Sequence, residues 1–497
     1  MAQKFYITTA IPYVNAPPHI GHALEFVQAD TIARYHKLLG EDVCLLSGGD
    51  ENALKNVQAA EKEGLPVQQF LDRNSKIWHD TYEFLKVHLD VFQRGSDSEK
   101  HWPGVQKLWK LCEGNGDIYK KEYEGLYCVG CESFKTNEEL IDSLCPVHQI
   151  KPELVKEENY FFRLSKYQEQ LIQLIESNEL KIAPANKKAE ALSFIKSGLE
   201  DFSISRSNER ARGVGVPVPG DPSQKIYVWY DALAIYITGI GFGWDEEKFK
   251  KWWPADLHII GKDINRFHTV YWPAMLLSAR LPLPKQILIH GFVNLKGEKI
   301  SKSVGNVISP QDVVKEFGLE PLRYFMLSQI PIDSDGDFTE ERFKEVYNGD
   351  LANGLGNLVA RVARLCENEN FTLEPYEEIK RFNPFVEKYL QRYDFMGAIG
   401  WIWRSDVKWG HIWLNQGKII QDETGINSLK LLDQNLNERK PWELKDRDEK
   451  ELLLSLYVIN LRRVAFNLQP FLPETSEKIL KQFSGEIKSA PPLFPRL

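Results

Sequence analysis

Two short segments carry residues whose types and spacing could handle a phosphate. The first is Pro17-Pro-His-Ile-Gly-His22. His19 and His22 are three apart, so on a helix they share one face. Prolines suit the first turn of a helix, and that end offers N–H groups and a positive dipole to anions. Gly21 leaves the backbone open to close approach. Two imidazoles there could donate to an oxyanion that gains charge in a transition state. Taken alone, they could equally make structural hydrogen bonds. The second segment is Lys299-Ile-Ser-Lys-Ser303, preceded by Lys296-Gly-Glu298. Lysines on a mobile loop can neutralise a triphosphate under attack, as compact point charges. Taken alone, the run could be a solvated loop.

A third constellation has metal-ligand spacing. Cys128-Val-Gly-Cys131 is followed, after 13 residues, by Cys145-Pro-Val-His148. These knuckles supply four donors for a tetrahedral Zn²⁺. With every position filled, the expected site is one structural Zn²⁺ without an open coordination position. The other readings are three reduced cysteines beside a surface histidine, or a redox pair. No thioredoxin-like pattern surrounds the cysteines to support a redox pair.

Elements to position these groups can be read from the pattern. Phe5-Tyr-Ile-Thr-Thr9 is a β-branched and aromatic run, hence a strand, and Ala10 to Pro18 is a loop. Leu24, Val27, Thr31, Tyr35 and Leu38 keep a helical period, and Gly40 stands where a C′ residue belongs. Val43-Cys-Leu-Leu46 is continuously apolar, as in a parallel strand covered on both faces. Ile226–Tyr230, Leu257–Ile260 and Gln286–Ile289 read the same way, with helix between them near 264–280. The expected fold is a doubly wound, Rossmann-like α/β domain over 1–112 and 226–290, interrupted by an insertion over 113–225. Residues 291–345 carry the lysine loop. From 346 to 497 helical patterning dominates: Leu351, Leu355, Leu358, Val362 and Leu365 form an amphipathic stripe. Breaks are expected at Pro375, Pro384 and Pro441, with Pro441-Trp442 opening another helix. The whole segment reads as an all-α bundle.

The 497 residues fit roughly three domains. With 43% hydrophobic and 27% charged residues, the chain is neither disordered, collagenous nor a small disulfide scaffold. Its net charge of −8 does not itself point to nucleic acid, although an acidic enzyme can carry a local basic face. Six cysteines are too few to staple this length, which suggests a reducing compartment. No leader-like or membrane-spanning apolar run is present, so a cytoplasmic location is expected.

A strand–loop–HIGH–helix opening, with KISKS after the last strand, resembles the class I aminoacyl-tRNA synthetases. The chain as a whole resembles the methionyl-tRNA synthetases of the shorter bacterial type. Thr8-Thr-Ala-Ile-Pro-Tyr-Val-Asn15, Val228-Trp-Tyr-Asp-Ala232, Gly261-Lys-Asp-Ile264 with His268, Asn306 and Leu493-Phe-Pro-Arg-Leu497 carry the likeness. The resemblance implies that methionine attacks ATP to give methionyl-adenylate and pyrophosphate, and that tRNA(Met), initiator and elongator, then takes the methionyl group. It implies that His19, His22, Lys299 and Lys302 stabilise the transferring phosphate. It places ATP, with Mg²⁺, against His19, Gly21, His22, Gly261, Asp263 and Lys302. Methionine would meet Ile11, Tyr13, Trp229, Ala232, Leu233, Tyr236 and His268, with Asp50 on its ammonium. Thioether–aromatic contacts suit that pocket, although Trp229 and Tyr236 also fit ordinary core spacing. Residues 291–345 would contact the tRNA stem. Asn357, Arg361 and Trp442 would read the anticodon, with interhelical packing and a surface ion pair as the other readings for Trp442 and Arg361.

One stretch departs from the family. Gly49, Asn52 and Ala53 stand where Thr, His and Gly are usual around Asp50. Rival synthetases for leucine, isoleucine or valine would carry a larger editing insertion. A cysteine enzyme would place its metal in the substrate pocket. A binding-only relative has no need of HIGH and KISKS, and a small-molecule nucleotidyltransferase has none of the helical region. The ending at Leu497 leads to the expectation of a monomer.

Overall fold

The computed structural model describes residues 3–128, 133–135, 137–146, 149–295, 297–299, 308–374, 381–404, 414–415, 418–419 and 428–497. The chain divides into two compact units, residues 1–29 with 40–290 and residues 30–39 with 291–497.

The first unit begins β1 (Lys4–Thr8), α1 (Ile20–Leu38), β2 (Asp42–Gly49), α2 (Leu54–Lys62), α3 (Val67–Phe84), β3 (Val91–Arg94) and α4 (His101–Gly114). Gly40 takes φ +82°, the left-handed turn that ends α1. Next come β4 (Ile118–Cys128), β5 (Ser133–Lys135), β6 (Glu153–Phe162), α5 (Gln168–Glu176), β7 (Lys181–Ala183), α6 (Ala185–Lys196), β8 (Phe202–Ser203), β9 (Ser205–Ser207), β10 (Pro217–Val218) and β11 (Asp221–Ile226). Then follow α7 (Val228–Thr238), α8 (Glu246–Trp252), β12 (Leu257–Gly261), α9 (Trp272–Ser278) and β13 (Gln286–His290).

Six strands make one parallel sheet in the order β3-β2-β1-β12-β13-β7. It winds outward in both directions from the β1–β12 pair, where Ile7 faces Leu257 and Thr8 faces His258. That pair is the topological switch point, and ligands of such sheets bind beyond its carboxyl ends. The span 113–225, expected as an insertion, builds its own antiparallel sheet β5-β4-β6-β8, but it also returns β7 to the edge of the main sheet.

Ile226–Tyr230 is not a strand. β11 ends at Ile226 and α7 begins at Val228. All eleven residues of α7 are buried, so no polar face marks a helical period, and a short apolar run cannot distinguish strand from buried helix. Near 264–280 the helix is irregular: a π-helical turn over Phe267–Tyr271 precedes α9.

The second unit continues with β14 (Val293–Leu295), β15 (Glu298–Lys299), α10 (Pro310–Phe317), α11 (Leu319–Gln329), β16 (Gly336–Phe338), α12 (Glu340–Val346), α13 (Asn357–Asn368), α14 (Pro384–Leu390), α15 (Phe395–Arg404), α16 (Leu429–Arg439), α17 (Arg447–Leu468) and α18 (Pro473–Gln482). Leu351 and Leu355 lie in a π-helical stretch between α12 and α13, and with Leu358 and Val362 they are buried at 1% exposure or less. Pro384 opens α14, with Asn383 capping it by accepting the Phe385 N–H. Pro375 lies outside the described residues. Pro441 opens no helix: α16 ends at a left-handed Lys440, residues 441–443 form a turn, and α17 starts at Arg447 behind its Asp446 cap. Within this unit Arg323 and Asp30 form a fully buried ion pair at 2.8 Å. Arg323 also donates to the Phe471 carbonyl at 2.8 Å.

Candidate active site

The loop after β1 is held from several sides. Its Ala10 N–H donates to Glu25 Oε1 at 2.8 Å, and Glu25 Oε2 meets His290 Nε2 at 2.9 Å at the carboxyl end of β13. Asn74 and Trp78 of α3 donate to the carbonyls of Val14 and Ala16. Glu25 and His290 were not singled out from sequence, because nothing in their local pattern announces them.

The loop delivers His19 and His22 to the start of α1, with ring centroids 3.8 Å apart. His22 also packs edge-on to Trp78 at 4.8 Å. Each Nδ1 accepts a backbone N–H at 3.1 Å: His19 from Gly21, His22 from His19. Those bonds place the neutral ring proton on Nε2, the nitrogen able to donate to a phosphate oxygen. Gly21 also leaves room for the His19 ring. A Cβ there would lie 3.0 Å from His19 Cε1, so the space is taken by the folded-back imidazole. At the end of β12, a Cβ on Gly261 would lie 2.9 Å from Asp263 Oδ1. The Asp263 carboxylate therefore leans over bare backbone at the switch point, which suits hydroxyl donors.

Asp50 directly follows β2 and is buried at 3% exposure. Its N–H donates to the Pro12 carbonyl at 2.8 Å, and it pairs with Tyr13 as an isolated bridge. Tyr13 stands edge-on to Trp229, centroids 6.1 Å apart, and Trp229 stacks on Phe267 at 3.7 Å. Lys55 lies 3.3 Å above the Tyr13 ring. Trp229 Nε1 is buried without a hydrogen-bond partner among the described residues, so that edge presents an apolar ring and one donor. Phe267 and Lys55 were missed from sequence, although Phe267 adjoins His268. Ala232, Leu233 and Tyr236 follow Trp229 on one helical face at i+3, i+4 and i+7. Ala232 and Leu233 are buried, and Ile11 packs against the main core.

His268 completes the far side. Its Nδ1 lies 3.0 Å from the Ile264 carbonyl, and its Nε2 lies 2.7 Å from Tyr236 Oη. A carbonyl only accepts, so the proton sits on Nδ1, and the Tyr236 hydroxyl donates to Nε2. Burial pushes the imidazole down to about 4 and the Tyr236 phenol well above its usual range. The pair is neutral at pH 7. A histidine in the unfolded chain titrates near 6.5, so between about 6.5 and 4 the unfolded chain binds the extra proton. Stability is therefore lost as pH falls through that window, by about 3 kcal/mol for this group. In H268Q the loss of unfolding free energy between pH 7 and pH 4.5 should shrink by about 2 kcal/mol. An unchanged loss in denaturant titrations would rule this ring out as the group.

In the second unit, β14 and β15 form a hairpin with Gly297 at φ +78°, and Lys299 pairs with Asn294 on it. Lys302 lies outside the described residues. So do Cys131 and His148. Cys128 and Cys145 are both fully buried. Cys128 ends β4 opposite Ser133, and Cys145 sits in a tight reversal that accepts from Gln149 N–H and donates to Ile150 O. Two buried thiols suit the donor chemistry of a tetrahedral metal. Asn357 is exposed at the start of α13. Arg361 donates to Asp433 and Asn437 of α16, both at 2.6 Å, so it is one half of an ion pair. Trp442 is 47% exposed, which excludes interhelical packing as its main role.

The profile of tRNA synthetases class I (M) matches residues 5–151 and 135–363. A methionine–tRNA ligase of Thermotoga maritima is 40% identical over 494 residues, covering 98% of this chain and 76% of that protein. One from Brucella suis is 41% identical, covering 96% and 91%. The fold superposes on Mycobacterium tuberculosis methionyl-tRNA synthetase bound by methionyl-adenylate with a TM-score of 0.87. That structure is 33% identical, covering 99% of this chain and 100% of that one. No helix among the described residues is long and apolar enough to cross a membrane. Sheet order, switch-point histidines and these identities agree, and the chain belongs to the methionine–tRNA ligases of class I.

Proposed function

We propose that the chain activates methionine with ATP to methionyl-adenylate and pyrophosphate, then transfers the methionyl group to the 3′ end of initiator and elongator tRNA(Met). The observation that carries this reading is the pair of imidazoles at the switch point, each Nδ1 occupied by a backbone N–H and each Nε2 protonated. Catalysis on this reading is positioning and charge stabilisation, with no side-chain nucleophile. Asp50 takes the substrate ammonium as a charge-assisted partner. Trp229, Phe267 and Tyr13 surround the thioether, with Ile11, Ala232, Leu233, Tyr236 and His268 behind them. The ATP ribose lies against Gly261 and Asp263, and Mg²⁺ accompanies the triphosphate. Asn357, Arg361 and Trp442 read the anticodon by edge hydrogen bonds and stacking. Six cysteines in 497 residues are too few to staple the chain, which fits a reducing, cytoplasmic setting. The test is amino-acid-dependent ATP–pyrophosphate exchange across all twenty amino acids. Exchange with methionine alone is expected; exchange with another amino acid overturns the pocket.

Cys128, Cys131, Cys145 and His148 would hold one Zn²⁺, which ties two chain reversals together and takes no part in the reaction. Metal analysis should find about one zinc per chain, and C128S should lose it and melt at a lower temperature. Zinc-free wild-type protein with unchanged melting would sink the site.

A further inference from the structure

The stretch that departs from the family is also the stretch that touches the pocket helix. Asn52, where His is usual, uses both amide hydrogens: Nδ2 donates to Gly95 O at 2.8 Å and to Asp231 Oδ2 at 2.6 Å. The other Asp231 oxygen meets His101 Nε2 at 2.6 Å, and His101 Nδ1 meets Thr238 Oγ1 at 2.7 Å. His101 is fully buried and Asp231 is 1% exposed. Asp231 and Thr238 are seven apart on α7, hence two turns along one face. Asp231 lies about 200° around the helix from Trp229, so this face is the back of the one carrying Trp229 and Tyr236. Two residues before Asn52 stands Asp50. Between them Glu51 is fully buried, accepting from Arg94 Nε at 2.8 Å and Ser96 N–H at 3.0 Å. The loop after β3 therefore grips the loop after β2, and Asn52 passes that grip to α7.

We propose that Asn52, Asp231 and His101 form a buried strap that fixes α7 relative to Asp50 and so sets how methionine fits between its ammonium and its side-chain contacts. These are positioning residues; none touches the substrate. The inference rests on Asp50 holding the ammonium and α7 the side chain. Loss of the strap lets the two ends of the methionine site drift apart, while the histidines at the start of α1 and Asp263 stay as they are. The penalty falls on methionine and not on ATP.

Exchange kinetics at varied methionine and ATP test this. N52A should raise the methionine KM about tenfold, the size of one lost hydrogen bond to a buried charge, with kcat and ATP KM within about twofold. N52D, which aims a carboxylate at Asp231, should raise it about a hundredfold. N52H, which retains a donor, should stay near wild type. N52S repeats the comparison if N52A is too unstable to assay. An unchanged methionine KM in N52A overturns the strap. So do methionine and ATP KM values that rise together with a lowered melting temperature. D50N separates the two layers. If it leaves methionine KM unchanged, the ammonium assignment fails. If D50N raises methionine KM and N52A does not, the strap alone fails.

Discussion

Replacing Lys302 with alanine is expected to lower methionine-dependent ATP–pyrophosphate exchange about a thousandfold. On the proposed reading the α-phosphate gains negative charge as the carboxylate attacks, and His19 and His22, whose Nδ1 atoms each accept a backbone N–H, would donate through Nε2 and share that charge without cancelling it. A lysine ammonium supplies a full unit of charge where dipoles supply a fraction. The loss should appear in kcat, because the interaction strengthens only in the transition state. Methionine KM, far-UV circular dichroism and zinc content should stay as in the unaltered protein. K302R should recover part of the rate, since it keeps the charge but not the compact geometry. Wild-type exchange by K302A would remove the lysine segment from the mechanism.

The second large effect is expected at the other end of the chain. W442A should leave pyrophosphate exchange intact and lower kcat/KM for charging tRNA(Met) about a hundredfold, the scale of one lost base stack. Its ring is 47% exposed on the turn that follows the left-handed Lys440, so it contributes little packing. Melting temperature should therefore stay within about one degree. W442F should restore part of the charging, because any aromatic face can stack. Unchanged charging by W442A would overturn the anticodon assignment. Lower melting with equal loss in both half-reactions would make Trp442 a structural residue.

Different parts of this architecture were legible to different degrees. β1 could be read from its β-branched and aromatic run, and β2, β12 and β13 because parallel strands covered on both faces are mostly apolar, as Val43-Cys-Leu-Leu46 shows. The same rule misread Ile226–Tyr230, because a helix buried on every side is also apolar throughout. Pro441 reads as a helix start by type. The left-handed Lys440 before it makes it a helix stop, and a lysine carries little signal for that conformation. β7 is three residues long and could not be seen without its partner β13. Of the site, the motif-bearing residues were legible from type and spacing. Those that hold them were not, because Glu25, His290, His101 and Asp231 work through contacts across distant stretches of chain. Gly21 shows a second use that its type alone does not announce: its missing side chain leaves room for the His19 ring.

Asp30 has a consequence for dissection of the gene. It belongs by its contacts with residues from 291 onward, as do the residues that follow it up to Leu39. A fragment cloned from Gly291 to the end would therefore carry Arg323 without its carboxylate, with a cation left in a dry interior. Removing one partner of such a pair costs roughly 3–5 kcal/mol. Truncation libraries should return no well-behaved C-terminal fragment from a single cut at 290/291. Recovery should come when a peptide spanning α1 is supplied in trans, or when that helix is grafted in front of residue 291.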